Sequence, residues 1–183
     1  MNSFTKINKT RGDLMEYNPF VKTAIIRKGM SKPMKMLKDK ELLQGNMLDF
    51  ACGHGEDISI LSELGFDIVG YDKFNNTYRN DKLLSNKYDV VTCNYCFNVI
   101  PNLEEHRQVL ELLKRLSDNV YISVRSDLKA IKSNWIYNKD QFGYWTTAGS
   151  FQRFYDDNMV SELFGEVEYI KNNASFKLFK LIV

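Results

Sequence analysis

Asp49 and Asp57 flank the run Ala51-Cys52-Gly53-His54-Gly55, and Asp72 follows 19 residues after Gly53. Small residues in such a run let a ligand lie on the backbone, and an acid at that distance can accept both hydroxyls of a ribose. Together they describe a nucleoside-cofactor site. The dinucleotide-binding pattern G-x-G-x-x-G is incomplete, because Ile58 stands where its third glycine would be. Asp57 in a first helical turn suits the positive end of the helix dipole and opposes a phosphate there. The candidate cofactor residues are Asp49, Ala51, Cys52, Gly53, Gly55, Asp57, Asp72 and Lys73. Asn94 and Tyr95 join them from a later strand end.

Alternating strands and helices must hold these residues in place. The spacing predicts a helix from Pro33 that Gly45-Asn46 stops, with Met34, Leu37 and Leu42-Leu43 inward. It then predicts a strand over 46–51, a helix over 55–64 closed by Gly65, and a strand over 67–72. Residues 73–87 read as a polar loop and 88–93 as the next buried strand. Asn102 is expected to cap a helix whose first turn carries Glu104 and Glu105. A fourth strand is expected over 120–124, a polar and aromatic loop over 125–155, and a last helix over 156–164. Segments 166–170 and 175–183 read as a closing antiparallel pair. Such alternation means a mainly parallel sheet covered on both faces.

At 183 residues, 44% hydrophobic and 26% charged, the chain suits one globular domain. No apolar run reaches the roughly 18 residues of a membrane span, and the first residues lack a signal-peptide core. Cys52, Cys93 and Cys96 are expected as reduced, inert thiols in a cytoplasmic protein. C-x-x-C without a second pair argues against structural zinc, so no metal is expected. Residues 1–40 carry ten Lys and Arg against three Asp and Glu, whereas residues 41–183 carry fifteen against twenty. The reading is a basic N-terminal arm with the start of the first helix over 1–40, on an acidic body over 41–183 that holds the cofactor. Such an arm is suited to a polyanion.

Residues that could meet a substrate lie beyond the first loop. In a parallel sheet the strand over 88–93 delivers Asn94, Tyr95 and Asn98 to the ligand crevice. Phe97 reads as core, and His106 as structural. His54, in the first loop, is the better placed histidine for acid–base work, though a packing or solvent-facing role suits it better. Gln152 and Arg153 can pair with bases or phosphates, and Phe154 can stack. Arg27, Lys28 and Lys32 in the basic segment are candidates for phosphate contact. No residue stands out as the catalytic one, and oligomeric state is not legible.

A parallel β/α core that ends in an antiparallel hairpin is similar to the class I S-adenosylmethionine-dependent methyltransferase fold. That resemblance implies a Rossmann-like three-layer sandwich. Only fifteen residues separate Asp72 from Tyr88, so the third-strand region is shortened: either Phe74 or Tyr78 of the loop holds the adenine, or cofactor binding is weak. The cofactor implied is S-adenosylmethionine, which carries no phosphate and a positive sulfonium. More narrowly, the chain resembles the methyltransferase domain of the bacterial DNA phosphorothioation-associated methyltransferases. The matching stretches are Thr23–Arg27 through Ser31-Lys32-Pro33, Leu48–Asp57, Gly70-Tyr71-Asp72, Asp89-Val90-Val91 through Asn98-Val99-Ile100, and Gly149–Tyr155. This resemblance, with the basic arm, implies methyl transfer to nucleic acid, DNA before RNA. Other readings stay open: a non-catalytic protein of this fold that binds nucleic acid or a protein partner, an enzyme consuming the same cofactor without methyl transfer, and a dehydrogenase, which the missing third glycine disfavours.

Overall fold

Met47, Leu48, Asp49 and Phe50 are all buried, as a central strand with helices on both faces requires. The structure, a computed structural model, describes residues 18–182. The first 17 residues of the expected basic N-terminal arm lie outside the described residues. In chain order the elements are α1 (Phe20–Thr23), α2 (Lys32–Asp39), β1 (Met47–Phe50), α3 (Glu56–Glu63), β2 (Ile68–Tyr71), β3 (Val90–Asn94), α4 (Leu103–Leu116) and β4 (Val120–Arg125). There follow β5 (Ile136–Asn138), β6 (Gly143–Trp145), β7 (Phe151–Gln152), α5 (Asp157–Phe164), β8 (Val167–Asn172) and β9 (Phe176–Leu181).

The main sheet runs β2-β1-β3-β4-β9-β8. Its first four strands are parallel, and β9 and β8 close it antiparallel. Alternation along β1 sends Leu48 and Phe50 to one face and Met47 to the other. The first face packs against Leu110, Leu113 and Leu116 of α4 and Val160 and Phe164 of α5. The second packs against Met34 and Leu37 of α2 and Ile58 and Leu61 of α3. This is the Rossmann-like three-layer sandwich with a C-terminal antiparallel hairpin. The third-strand region is trimmed as expected: between β2 and β3 the chain makes only a short 3-10 turn over Asp81–Ser85, which leaves β2 at the sheet edge.

Caps follow the local chemistry. Asn102 Oδ1 accepts from the Glu104 and Glu105 amides at 2.7 and 3.1 Å, and Asp156 Oδ1 accepts from the Met159 amide at 2.8 Å. No described helix is long and apolar enough to cross a membrane.

Residues 125–155 depart from the expected loop. Strands β5, β6 and β7 form a small antiparallel sheet of their own. Strands of two or three residues give no readable alternation, which is why the sequence pattern misses them. Gly143 permits the pairing, since a Cβ there would lie 2.3 Å from the Phe151 ring.

His106 sits on the apolar side of α4, its ring 4.5 Å from the Phe97 centroid and 5.0 Å from that of Phe164. Its buried Nε2 has no hydrogen-bond partner among the described residues. Burial, and then the charge of Arg153, push its pKa down to about 3. The unfolded chain takes up this proton below about pH 6.5, the folded chain only near pH 3. Stability from His106 is therefore present above pH 6.5 and lost as the pH falls through that window. Denaturant titrations at pH 7 and pH 5 should show the wild type losing about 2 kcal/mol more than His106→Phe. Equal losses would refute the assignment.

Candidate functional site

The chain leaves β1 to form β2 on one side and returns on the other side as β3. That reversal opens a crevice at the carboxyl ends of the two strands. A cavity of about 640 Å³ lies there, walled by residues that follow β1, β2, β3 and β4. The segment Thr23-Ala24-Ile25 forms part of its wall, and Lys22 Nζ reaches the Gly149 carbonyl at 3.2 Å beside the small sheet.

The first loop meets this cavity through its backbone. Ala51 and Tyr95, both on the cavity wall, have positive φ (59° and 60°), a conformation that costs a non-glycine residue about 1 kcal/mol and that clusters at functional sites. The two glycines have different tasks. Gly53 (φ 63°) faces open space: nothing lies within 4 Å of where its Cβ would be. Gly55 (φ 82°) does not cradle a ligand, because the Tyr78 hydroxyl would lie 2.0 Å from a Cβ there. Tyr78 packs beneath the loop against Gly55 and Gly70 and takes no part in the cavity wall. Phe74 does line it, with Lys73 Nζ 5.2 Å from its ring centroid. Of the two residues expected to hold an adenine, only Phe74 is in position.

The three acids are held in three different ways. Asp57 lines the cavity with both oxygens engaged: Oδ1 accepts from the Ser31 amide at 2.6 Å and Oδ2 pairs with Arg27 Nη2 at 3.1 Å. It thereby ties the N-terminal segment to the start of α3. Asp72 accepts from the Gly53 amide on Oδ2 (3.0 Å) and the Phe74 amide on Oδ1 (2.9 Å). A carboxylate has about four acceptor positions, so both oxygens keep capacity for a diol. Burial raises the Asp72 pKa while these amides oppose the rise. Asp49 accepts from Thr92 Oγ1 at 2.7 Å. Burial, and then the nearby Asp57 charge, lift its pKa to about 7.

On the far wall, Asn94 Oδ1 accepts from Ser123 Oγ at 2.9 Å, while its buried Nδ2 has no partner among the described residues. An unsatisfied donor at a cavity wall is a place for a ligand acceptor. Burial and then the Asp127 charge push the neighbouring Tyr95 hydroxyl up to about 12. Sequence reasoning overlooked Arg125 and Asp127. Arg125 holds Asp127 through Nε and Nη2 (2.9 and 2.8 Å), bonds Gln152 Oε1 through Nη1 (3.1 Å), and lies 4.7 Å from the Phe154 ring centroid. Arg125, Asp127 and Gln152 all line the cavity. The strand-end rule that pointed to Asn94 would have found them after β4.

Several expected substrate residues are placed otherwise. Arg153 is fully buried. Its guanidinium bonds the Gln141 carbonyl (2.7 Å from Nη2), the Pro101 carbonyl (3.3 Å) and the Tyr155 hydroxyl (3.3 Å). It is a strut between the small sheet and the loop after β3 and has no free edge for a phosphate. Asn98 lines the cavity, yet its amide is engaged at both ends, by the Arg153 carbonyl (2.6 Å) and the Arg125 amide (3.2 Å). Phe154 is buried and packs against Trp135 and Tyr144, so it offers no stacking face. Arg27 lines the cavity and pairs with Asp57, with Glu56 3.8 Å away, while its buried Nε has no partner among the described residues. Lys28 is exposed and outside the cavity wall, whereas Gln152 and Lys73 are on it. His54 is exposed at the loop tip on the rim. Cys52 and Cys93 are buried thiols whose pKa burial drives upward, hence poor nucleophiles.

The profile of the methyltransferase-domain family matches residues 23–166. No curated protein matches the chain. Among solved structures, it resembles a S-adenosylmethionine-dependent methyltransferase from Bacteroides fragilis in complex with S-adenosyl-L-homocysteine. The TM-score is 0.57 at 18% identity, over 86% of this chain and 79% of the other. It also resembles the 1,6-didemethyltoxoflavin-N1-methyltransferase of Burkholderia thailandensis, with TM-score 0.56 at 12% identity over 82% and 77%. The glycopeptide N-methyltransferase MtfA gives TM-score 0.55 at 10% identity over 89% and 95%. At these identities the likeness is one of fold.

The two loop glycines should separate experimentally. Gly53→Ala should leave thermal stability within about 1–2 kcal/mol of wild type and weaken binding of any ligand seated on the loop at least tenfold. Gly55→Ala must displace Tyr78 and should mainly lower the melting temperature. Thermal denaturation and ligand titration of both variants check this, and the opposite pattern would put the ligand over Gly55.

Proposed function

This chain belongs to the methyltransferase-domain family, and we propose that its cavity binds S-adenosylmethionine and passes the methyl group to a base of a nucleic acid, DNA before RNA. The observation that carries the cofactor assignment is Asp72. It is a carboxylate at the end of β2, preset by backbone amides, with capacity for a ribose diol beside the open backbone of Gly53. The donor set fits the rest of such a molecule. Phe74 offers a ring face, Asn94 Nδ2 an unsatisfied donor, and Asp49 a charge opposite a cation. When bound, the cofactor supplies a methyl group on a positively charged sulfur.

The chain's own residues do the rest by position. Asp49, Asp72 and Gly53 hold one side of the cavity. Arg125, Asp127 and Gln152 form a polar wall on the other side that can orient an acceptor. Charge is lost as a sulfonium yields its methyl group, so orientation and exclusion of water suffice without a strong base. About 640 Å³ accommodates the cofactor and one acceptor group of base size. A polymer must therefore present a base out of its stack. The basic residues of segment 1–40 and the resemblance to phosphorothioation-associated methyltransferases support the nucleic-acid acceptor. A small-molecule acceptor is the second reading, which the size of the cavity favours.

Calorimetric titration with S-adenosylmethionine, S-adenosyl-L-homocysteine and NAD tests the site. Binding of the two adenosyl ligands near −8 kcal/mol is expected, a micromolar affinity, with none for NAD and at least a hundredfold loss in Asp72→Ala. Failure of both adenosyl ligands to bind overturns the assignment. Radiolabelled methyl transfer to DNA, RNA and small amines then ranks the acceptors.

Asp49 supplies a second test. Its folded pKa near 7 exceeds the unfolded value of about 3.8, so without a cationic ligand it holds a proton at pH 6.5. A cationic ligand favours the ionised form. Titrations at pH 6.5 in buffers of different ionisation enthalpy should reveal release of about half a proton or more on binding S-adenosylmethionine. Asp49→Asn should release none, and an unchanged release there would exonerate Asp49.

A further inference from the structure

Beside the cavity a second groove crosses the surface, between α2 and the turn that joins β8 to β9. Lys32, Lys35 and Lys40 line it from the α2 side and Lys171 from the hairpin. All four are exposed, and none has an ion-pair or hydrogen-bond partner through its ammonium among the described residues. Asp39 is the sole acid on the groove wall among those residues, and Lys38 Nζ neutralises it at 3.0 Å. Like charges held together without counter-charges are a cost unless a polyanion occupies the groove. Lys32 and Lys35 are three residues apart and share a helix face. The span from Lys32 to Lys40 is about 12 Å along the helix, the axial rise of three to four nucleotides of one strand.

The groove also leads somewhere. Lys32, Ser175 and Phe176 line both it and the cavity. At this junction Phe176 packs edge-on against Tyr95, with ring centroids 6.4 Å apart. A strand lying in the groove thus enters the cavity at the wall that carries Asn94, Tyr95 and Asp127.

We propose that this lysine groove binds the phosphodiester backbone of a single nucleic-acid strand and feeds its base into the cavity. The inference rests on the nucleic-acid reading of the acceptor and assigns the surface that recognises it. Four ammonium groups on the backbone predict a salt dependence that aromatic stacking alone would not produce.

Fluorescence anisotropy of the full chain with a labelled single-stranded DNA of about 20 nucleotides, between about 50 and 200 mM salt, provides the test. The expected log–log slope is about −3, or about −0.7 for each lysine. Lys35→Glu/Lys171→Glu should bind at least tenfold more weakly, and Lys35→Gln/Lys171→Gln should lose about 1.4 from the slope. Binding of S-adenosyl-L-homocysteine should be unchanged in both, because neither lysine lines the cavity. Absent wild-type binding, wild-type affinity in either double variant, or equal competition by polyglutamate, which would mark an acidic-protein surface, overturns the groove assignment. The cofactor titration is read separately. A wild type that binds S-adenosyl-L-homocysteine but not the oligonucleotide sinks only the groove, whereas the converse sinks the cofactor site.

Discussion

Three carboxylates gathered in one partly apolar crevice must each be satisfied, and much of the local structure answers to that constraint. A buried charge is costly unless it is paired, hydrogen-bonded or neutralised by a proton. Asp57 is paired, and in being paired it draws Arg27 and the Ser31 amide over the start of α3. Asp72 is solvated by backbone amides, which fixes the turn after β2 and the loop at Gly53. Asp49 is left with one hydroxyl from Thr92 and the proton that burial lets it keep. The first acid is met by a cation, the second by backbone amides, and the third by a hydroxyl and a proton.

The opposite wall follows similar logic with a cation. Arg125 draws in Asp127, Gln152 and the face of Phe154. Arg153, one residue beyond Gln152, turns the other way and is consumed in holding the small sheet to the loop after β3. The last residue of β7 and the residue that follows it therefore differ in partners: Gln152 meets Arg125 on the cavity wall, and Arg153 is held by backbone carbonyls.

Shortening of the sheet at β2 has its own consequence. With no strand beyond β2, Tyr78 fills the space beneath the first loop, and the two glycines that admit it, Gly55 and Gly70, are there for packing. Phe74 remains on the cavity side. The site is thus narrower than a glycine-rich turn suggests, with Gly53 as its open point.

The sequence by itself determined the elements of the main sheet, its covering helices and the crevice. Hydrophobic periodicity, a helix-capping Asn102 and the order of strands and helices depend on neighbours along the chain, and those interactions are legible locally. The acids of the first loop and the strand-end residues Asn94 and Tyr95 were legible for the same reason, since a parallel sheet always presents its carboxyl ends to the ligand. Only the tertiary structure decided which charged groups remain available. Arg27 and Arg153 look alike in sequence to a phosphate-binding arginine, yet each is engaged by a partner distant in the chain, Asp57 at 30 residues from Arg27 and the Pro101 carbonyl at 52 from Arg153. The strands β5 to β7 were hidden because they are too short to show a period. The lysine groove was hidden because Lys171 meets α2 only when the hairpin folds back. Availability of a side chain is a property of what surrounds it in space, and the chain order does not contain it.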